Sequence, residues 1–192
     1  MRATWRRLWG KSRGFRRSEQ GSAVVEFALV VPIMLTLYVG SVEATALISM
    51  DRKLQSVTGA LGDLVARSDK TIRAATLEDY FLAASGIMTP HSTEELRQVV
   101  TQVAVDADGD ATVVWSREYH DGVVTVGTKY LKDASFDLPD AMADIAEDNF
   151  VIVAEGSYAY PPLYGFAFQQ TVNLYRENFF MPRFDSSIAI VN

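Results

Sequence analysis

No cysteine occurs in the 192 residues, which removes disulfides, Cys-ligated metals and thiol nucleophiles from consideration. That absence leaves the compartment open, because exported proteins need not carry disulfides. Histidine is almost as scarce: His91 and His120 stand beside turn-like residues, and neither belongs to an HExxH or other ligand spacing. No glycine-rich phosphate loop is present. Ser157 in "EGSYAY" is not a nucleophile elbow, since Ala159 stands where the second glycine belongs. Asp106, Asp108 and Asp110 alternate like the opening of a calcium loop, yet Ala111 replaces its glycine and Arg117 its bidentate glutamate. A turn is the simpler reading, and Glu94-Glu95 reads as a solvated cap. There is no repeat of solenoid or propeller period and no low-complexity tract. The expectation is a protein with no metal, no cofactor and no enzymatic activity.

Charge is present but unevenly placed. Residues 1–21 hold Arg2, Arg6, Arg7, Lys11, Arg13, Arg16 and Arg17 against Glu19 alone. Residues 51–192 hold 11 basic and 21 acidic side chains, a net of −10. A basic head on an acidic body argues against nucleic-acid binding by the body, because phosphate contacts need a positive surface. Beside an apolar run, the head suits an anionic lipid surface and the fixing of membrane orientation.

That run is Phe27 to Val42, 16 residues without a charge. As a helix it spans about 24 Å, and extension to Ser22 and Met50 gives bilayer length with Glu26 and Glu43 near its ends. Pro32 lies inside and removes one helical hydrogen bond, which membrane helices tolerate and which favours a kink. Seven basic residues precede the segment, while only Arg52 and Lys53 follow within about 20 positions, so the N-terminus is expected in the cytoplasm and the body outside. Three readings compete. One is an uncleaved single-span anchor carrying an interaction domain outside any filament. Another is a secretory signal peptide cut after Ala44-x-Ala46, against which stand the long basic region and the acid at the run's entrance. Twin-arginine export does not fit, because Arg16-Arg17 is followed by "SEQGS". The third reading explains why Glu26 is there.

A basic leader, Gly21, the small residue Ser22, and a glutamate at the fifth place after the glycine resemble the class III leader of type IV prepilins and pseudopilins. The wider stretch "GSAVVEFALVVPIMLTLYVGSVE" resembles the N-terminal signature of the TadE-like pseudopilins of tight-adherence (Flp) pilus systems. Val25, Glu26, Phe27, Ala28, Leu29 and Pro32 carry that likeness. Weaker echoes follow in "ATVVWSREY" (111–119), "NFVIVAEGSYAYPPL" (149–163) and "MPRF" (181–184). TadF-like and TadG-like relatives share the N-terminal pattern, and the modest length here suits the TadE-like branch over the longer TadG-like one.

The resemblance implies a prepilin peptidase cutting between Gly21 and Ser22 on the cytoplasmic side, so that removal of 21 of the 192 residues leaves 171. Glycine suits such a cut because a residue without Cβ can lie extended in a narrow protease site. Ser22 would then carry a free ammonium one helical turn from Glu26, and the two can pair within a chain or between neighbouring chains. In low dielectric a subunit out of register would leave both charges unpaired, so Glu26 acts as a registry device. The implied partners are the peptidase, other pilins or pseudopilins, pilus assembly platform proteins and inner-membrane lipid.

For the body the reading is α+β: a long N-terminal transmembrane and stalk helix, then a small domain with an antiparallel sheet and two or three helices. The divisions are a leader at 1–21, a transmembrane helix at 22–50, a stalk at 51–70 and an exported domain at 71–192. Leu54, Val57, Leu61, Leu64 and Val65 repeat at helical spacing. "SDKT" (68–71) breaks the helix; Thr76 is expected to cap a second one to about Ile87, burying Leu77, Tyr80, Phe81 and Ala84. The period then becomes two, with "DADGD" as the turn of a hairpin pairing 98–106 with 111–118. A short strand is expected over 123–128, and a helix from Asp137 to about Glu147 with Leu138, Met142 and Ile145 inward. A strand from Phe150 stops at Pro161-Pro162. The aromatics of "FAFQQTVNLYRENFFMPRF" are expected to fill the core.

Overall fold

The computed structural model describes residues 19–127, 129–167, 169–184 and 186–192, so the seven basic residues of the head lie outside the described residues. Helix α1 is one element from Glu19 to Ala66 and runs through Pro32. After it come β1 (Thr71–Arg73), α2 (Ala74–Ser85), a 3-10 turn (Gly86–Met88), β2 (Leu96–Val105), β3 (Ala111–His120) and β4 (Val123–Val126). Helix α3 (Asp140–Ile145), β5 (Phe150–Tyr160), β6 (Val172–Phe180) and β7 (Ala189–Val191) complete the chain.

The α+β architecture is as the sequence predicts: a long apolar helix, then a small domain with a five-stranded antiparallel sheet and two further helices. The strand order is β4-β3-β2-β5-β6, and β1 pairs in parallel with β7 to the side. The β2–β3 hairpin turns at Asp106, whose side-chain oxygen accepts the backbone N–H groups of Asp108 and Asp110. This is the expected turn, and its carboxylate serves the loop's own backbone. At Asp121-Gly122 both residues have positive φ, the conformation a tight β3–β4 connection requires.

Both faces of the sheet are covered. One lies under α1 and α2, where Leu54, Val57, Leu61 and Val65 pack with Phe81, Val100, Trp115 and Ile152. Contact is close enough that Gly156 has no room for a side chain, since a Cβ there would meet Thr58 Cγ2 at 2.6 Å. The opposite face carries Val103, Val113, Val151 and Val153 beneath Phe136, Leu138 and Ala146 of the 127–149 segment. Two buried glutamines cross-link the first layer. Gln98 Nε2 donates to Ser85 Oγ (2.8 Å), and Gln102 Oε1 accepts from Trp115 Nε1 (2.6 Å) and from the backbone of Ile188 (3.1 Å).

Four expectations need correction. Helix α2 begins at Ala74 with no side-chain cap, so Thr76 lies inside its first turn and does not cap it. Helix α3 is shorter than expected; Ile145 is 70% exposed while Ala146 takes the buried place, because the helix ends there and the chain turns. The aromatic tail forms an edge strand, β6, absent from the sequence reading. Phe166, Tyr175 and Phe184 are exposed, and Phe179 and Phe180 only half-buried, because α1 and β5 have already filled the core.

Candidate membrane-anchoring and assembly helix

Helix α1 changes surroundings along its length. From Ser22 to Val30 every residue is exposed, and Ile33, Met34, Leu35, Leu37 and Tyr38 each show more than half their surface. Met50 onward is core. A soluble helix with one apolar stripe would bury it; here the apolar residues surround the axis, and from Ser22 to Val30 none is covered by the described residues. Among the described residues this is the one helix long and apolar enough to cross a membrane.

The Gly21–Ser22 bond lies in the first turn of α1, where the leading N–H groups have no helical acceptor. Glu26 is exposed and falls on the face of Ser22, one turn on. Pro32 removes the bond its N–H would have given to Ala28, yet the helix continues past it.

The other acid of the apolar segment is positioned very differently. Glu43 is fully buried, although it lies at the very end of the uncharged run. The chain that follows β5, turned by Pro161-Pro162 and by Gly165 at φ +68°, folds back onto α1 there. Glu43 Oε1 accepts the backbone N–H groups of Tyr164 (3.3 Å) and Gly165 (2.9 Å), and Oε2 accepts that of Ala167 (2.5 Å). Successive N–H groups converging on one carboxylate form an anion-binding nest and offset the loss of water around the charge. Burial first, and then the Glu43 charge, push the nearby Tyr160 phenol above its ordinary pKa. Sequence reasoning noted Glu43 only as an acid near the helix end; the Pro-Pro-x-x-Gly turn was the available signal for a returning loop.

A second buried acid, also missed, sits on the sheet face away from α1. Glu155 Oε1 accepts from Lys129, from Tyr130 Oη (3.1 Å) and from Tyr175, while its Oε2 has no hydrogen-bond partner among the described residues. Burial works against the Lys129 charge, but hydrogen bonds to Glu155 and Tyr130 outweigh it and hold the ammonium above its usual pKa. The aromatic rings of Tyr130 and Tyr175 flank that ammonium at 5.0 and 5.1 Å. The cluster pins the segment after β4 onto the sheet.

Ser157 and His120 do line one groove of about 270 Å³ with Glu95. The His120 Nδ1 faces the Leu96 carbonyl at 3.2 Å, where an orienting carboxylate would stand in a triad. Among the described residues no three His, Asp or Glu side chains converge as a metal site. No curated protein and no solved structure matches the chain. The family model for TadE-like protein matches residues 21–60, from the Gly21–Ser22 bond through the exposed helix into the buried half of α1, and this is the family that the sequence signature resembles.

Proposed function

We propose that this protein is a non-enzymatic minor pseudopilin or assembly factor of a Flp-type, tight-adherence pilus. The observation that carries this reading is the division of α1: an apolar half that is largely exposed, continuous with a half locked into a domain, in the segment that matches the TadE-like family. The basic head keeps the N-terminus in the cytoplasm, the exposed half spans the inner membrane, and the acidic domain stands in the periplasm. Prepilin peptidase cuts after Gly21. The new ammonium of Ser22 pairs with Glu26 on the same or a neighbouring chain and sets the axial register of packed helices; pilins, pseudopilins and the assembly platform supply the neighbours. No nucleic acid is involved.

Intact mass of the protein purified from pilus-forming cells tests the cut. A chain of 171 residues supports the reading; 192 supports an uncleaved anchor outside the filament, and 146, after loss of residues 1–46, a conventional signal peptide. Glu26→Gln is expected to leave membrane insertion intact and abolish piliation. Normal piliation would remove the registry role.

A further inference from the structure

The loop that holds Glu43 has surfaces the assembly reading does not use. Leu163 is 52% exposed, Tyr164 66% and Phe166 54%, three large apolar side chains within four positions. They belong to a stretch from Gly156 to Tyr175 without a single charge, in a body where roughly one residue in four to five is charged. Tyr164 and Phe166 lie beside Tyr38, Val39 and Val42 of α1, and together these five line an open groove of about 340 Å³. Its surface thus continues the uncharged surface of the helix. Along α1 the first charge after Glu43 is Asp51, eight residues or about 12 Å further up the axis, in an ion pair with Arg176.

Height along the helix decides what that surface meets. Ser22 to Val42 spans about 31 Å, close to the roughly 30 Å hydrocarbon thickness of a bilayer. Glu43 therefore stands at the boundary on the domain's side, and Tyr164 and Phe166, packed near Tyr38 to Val42, stand within the interfacial zone. Tyrosine with a polar tip and apolar neighbours matches the chemistry of that zone. An aqueous setting would leave the patch exposed beside an already apolar helix.

We propose that the loop 161–167 is a foot seated in the bilayer: Leu163, Tyr164 and Phe166 enter the leaflet on the domain's side, and the Glu43 carboxylate fixes the loop to α1. The occupant of the groove is lipid. This rests on α1 spanning a membrane, and it adds that the domain stands directly on the bilayer surface at a fixed tilt and height.

The cysteine-free sequence allows single labels. Phe166→Cys, Tyr164→Cys, Leu37→Cys and Asp108→Cys, each carrying an environment-sensitive fluorophore, are placed in the full chain in phosphatidylethanolamine/phosphatidylglycerol vesicles with acyl chains brominated near the headgroup. Asp108 lies at the β2–β3 turn, and about 30 Å of strand separates that end of the sheet from Tyr160. Labels at 37 and at 166 or 164 are expected to lose about half their fluorescence or more to bromine, and the label at 108 none. Quenching at 37 but at neither loop position overturns the foot and leaves the spanning helix intact. No quenching at 37 overturns both. A loop label that is blue-shifted yet unquenched shows a protein neighbour in place of lipid and overturns the proposal. Glu43→Gln is expected to reduce quenching at 166 by at least about twofold while leaving 37 unchanged, because an amide presents a donor to the N–H nest; unchanged quenching at 166 removes Glu43 from the mechanism.

Discussion

Gly156 and Trp115 show how much a single position controls here. Gly156 is where β5 touches α1, with Thr58 Cγ2 and Leu54 Cδ1 at 2.6 and 3.0 Å from where a Cβ would stand. Gly156→Ala must displace the Thr58 and Leu54 side chains or the elements that carry them, and a loss of about 1–3 kcal/mol is expected from denaturant unfolding in detergent micelles. An unchanged midpoint would mean that the helix–sheet spacing is looser than these distances. Trp115 Nε1 is shared between Gln102 Oε1 and the Ile188 carbonyl, both at 2.6 Å. Trp115→Phe keeps most of the apolar volume and strips a donor from two buried acceptors, so about 1–3 kcal/mol should again be lost. The loss should be accompanied by faster amide exchange at Ile188 and β7; unaltered exchange there would detach Trp115 from the C-terminal segment.

At the level of elements, the sheet's tyrosines respond to pH as a group. Tyr119, Tyr130, Tyr158, Tyr160 and Tyr175 are all held above the ordinary phenol value of 10.0, by burial first. For Tyr175 the hydrogen bond to Glu155 and its negative charge add to burial. A folded-state pKa above the unfolded one means that the fold binds the phenolic proton more tightly. Stability from this source is complete below about pH 10, declines once the unfolded tyrosines ionise, and is lost as pH passes the folded values. The denaturant midpoint should therefore hold steady to about pH 10 and fall beyond it, with phenolate absorbance rising together with unfolding. Phenolate near pH 10 in a fully folded protein that disappears in Tyr119→Phe, Tyr158→Phe or Tyr160→Phe would contradict the burial of these three rings. Tyr175→Phe should shrink the decline, since it removes the hydroxyl bound to Glu155.

Across the whole molecule, α1 joins an exposed apolar half, the proposed anchor, to a half in the core, so the two should melt separately. Met50 to Ala66 shares the cluster with the sheet and is expected to unfold with it, while the Ser22–Val42 half stays helical in a micelle, where every backbone group is satisfied within the helix. Urea unfolding followed by circular dichroism should end on a plateau of residual helix equal to about 20 residues. A single transition to a fully unstructured chain would show that the exposed half depends on the domain.

Much of this was legible in the residues because it rests on local periods. The uncharged run announced a bilayer-length helix, the repeat from Leu54 to Val65 its buried continuation, and the alternation about "DADGD" a hairpin; each follows from chain geometry and needs no knowledge of neighbours. The wording Val25-Glu26-Phe27-Ala28-Leu29 with Pro32 likewise pointed to the TadE-like match. What the sequence could not decide was which apolar residues would find room inside. Phe166 and Phe184 are as hydrophobic as Phe81, but α1 and β5 had taken the space against the sheet, and the tail was left as an edge strand with exposed flanks. Nor could it show what becomes of Glu43, the acid at the far end of the run from Glu26. Glu26 is exposed among the described residues, whereas Glu43 is enclosed by N–H groups more than 120 positions away, and pairing over such a distance exists only once the chain has folded.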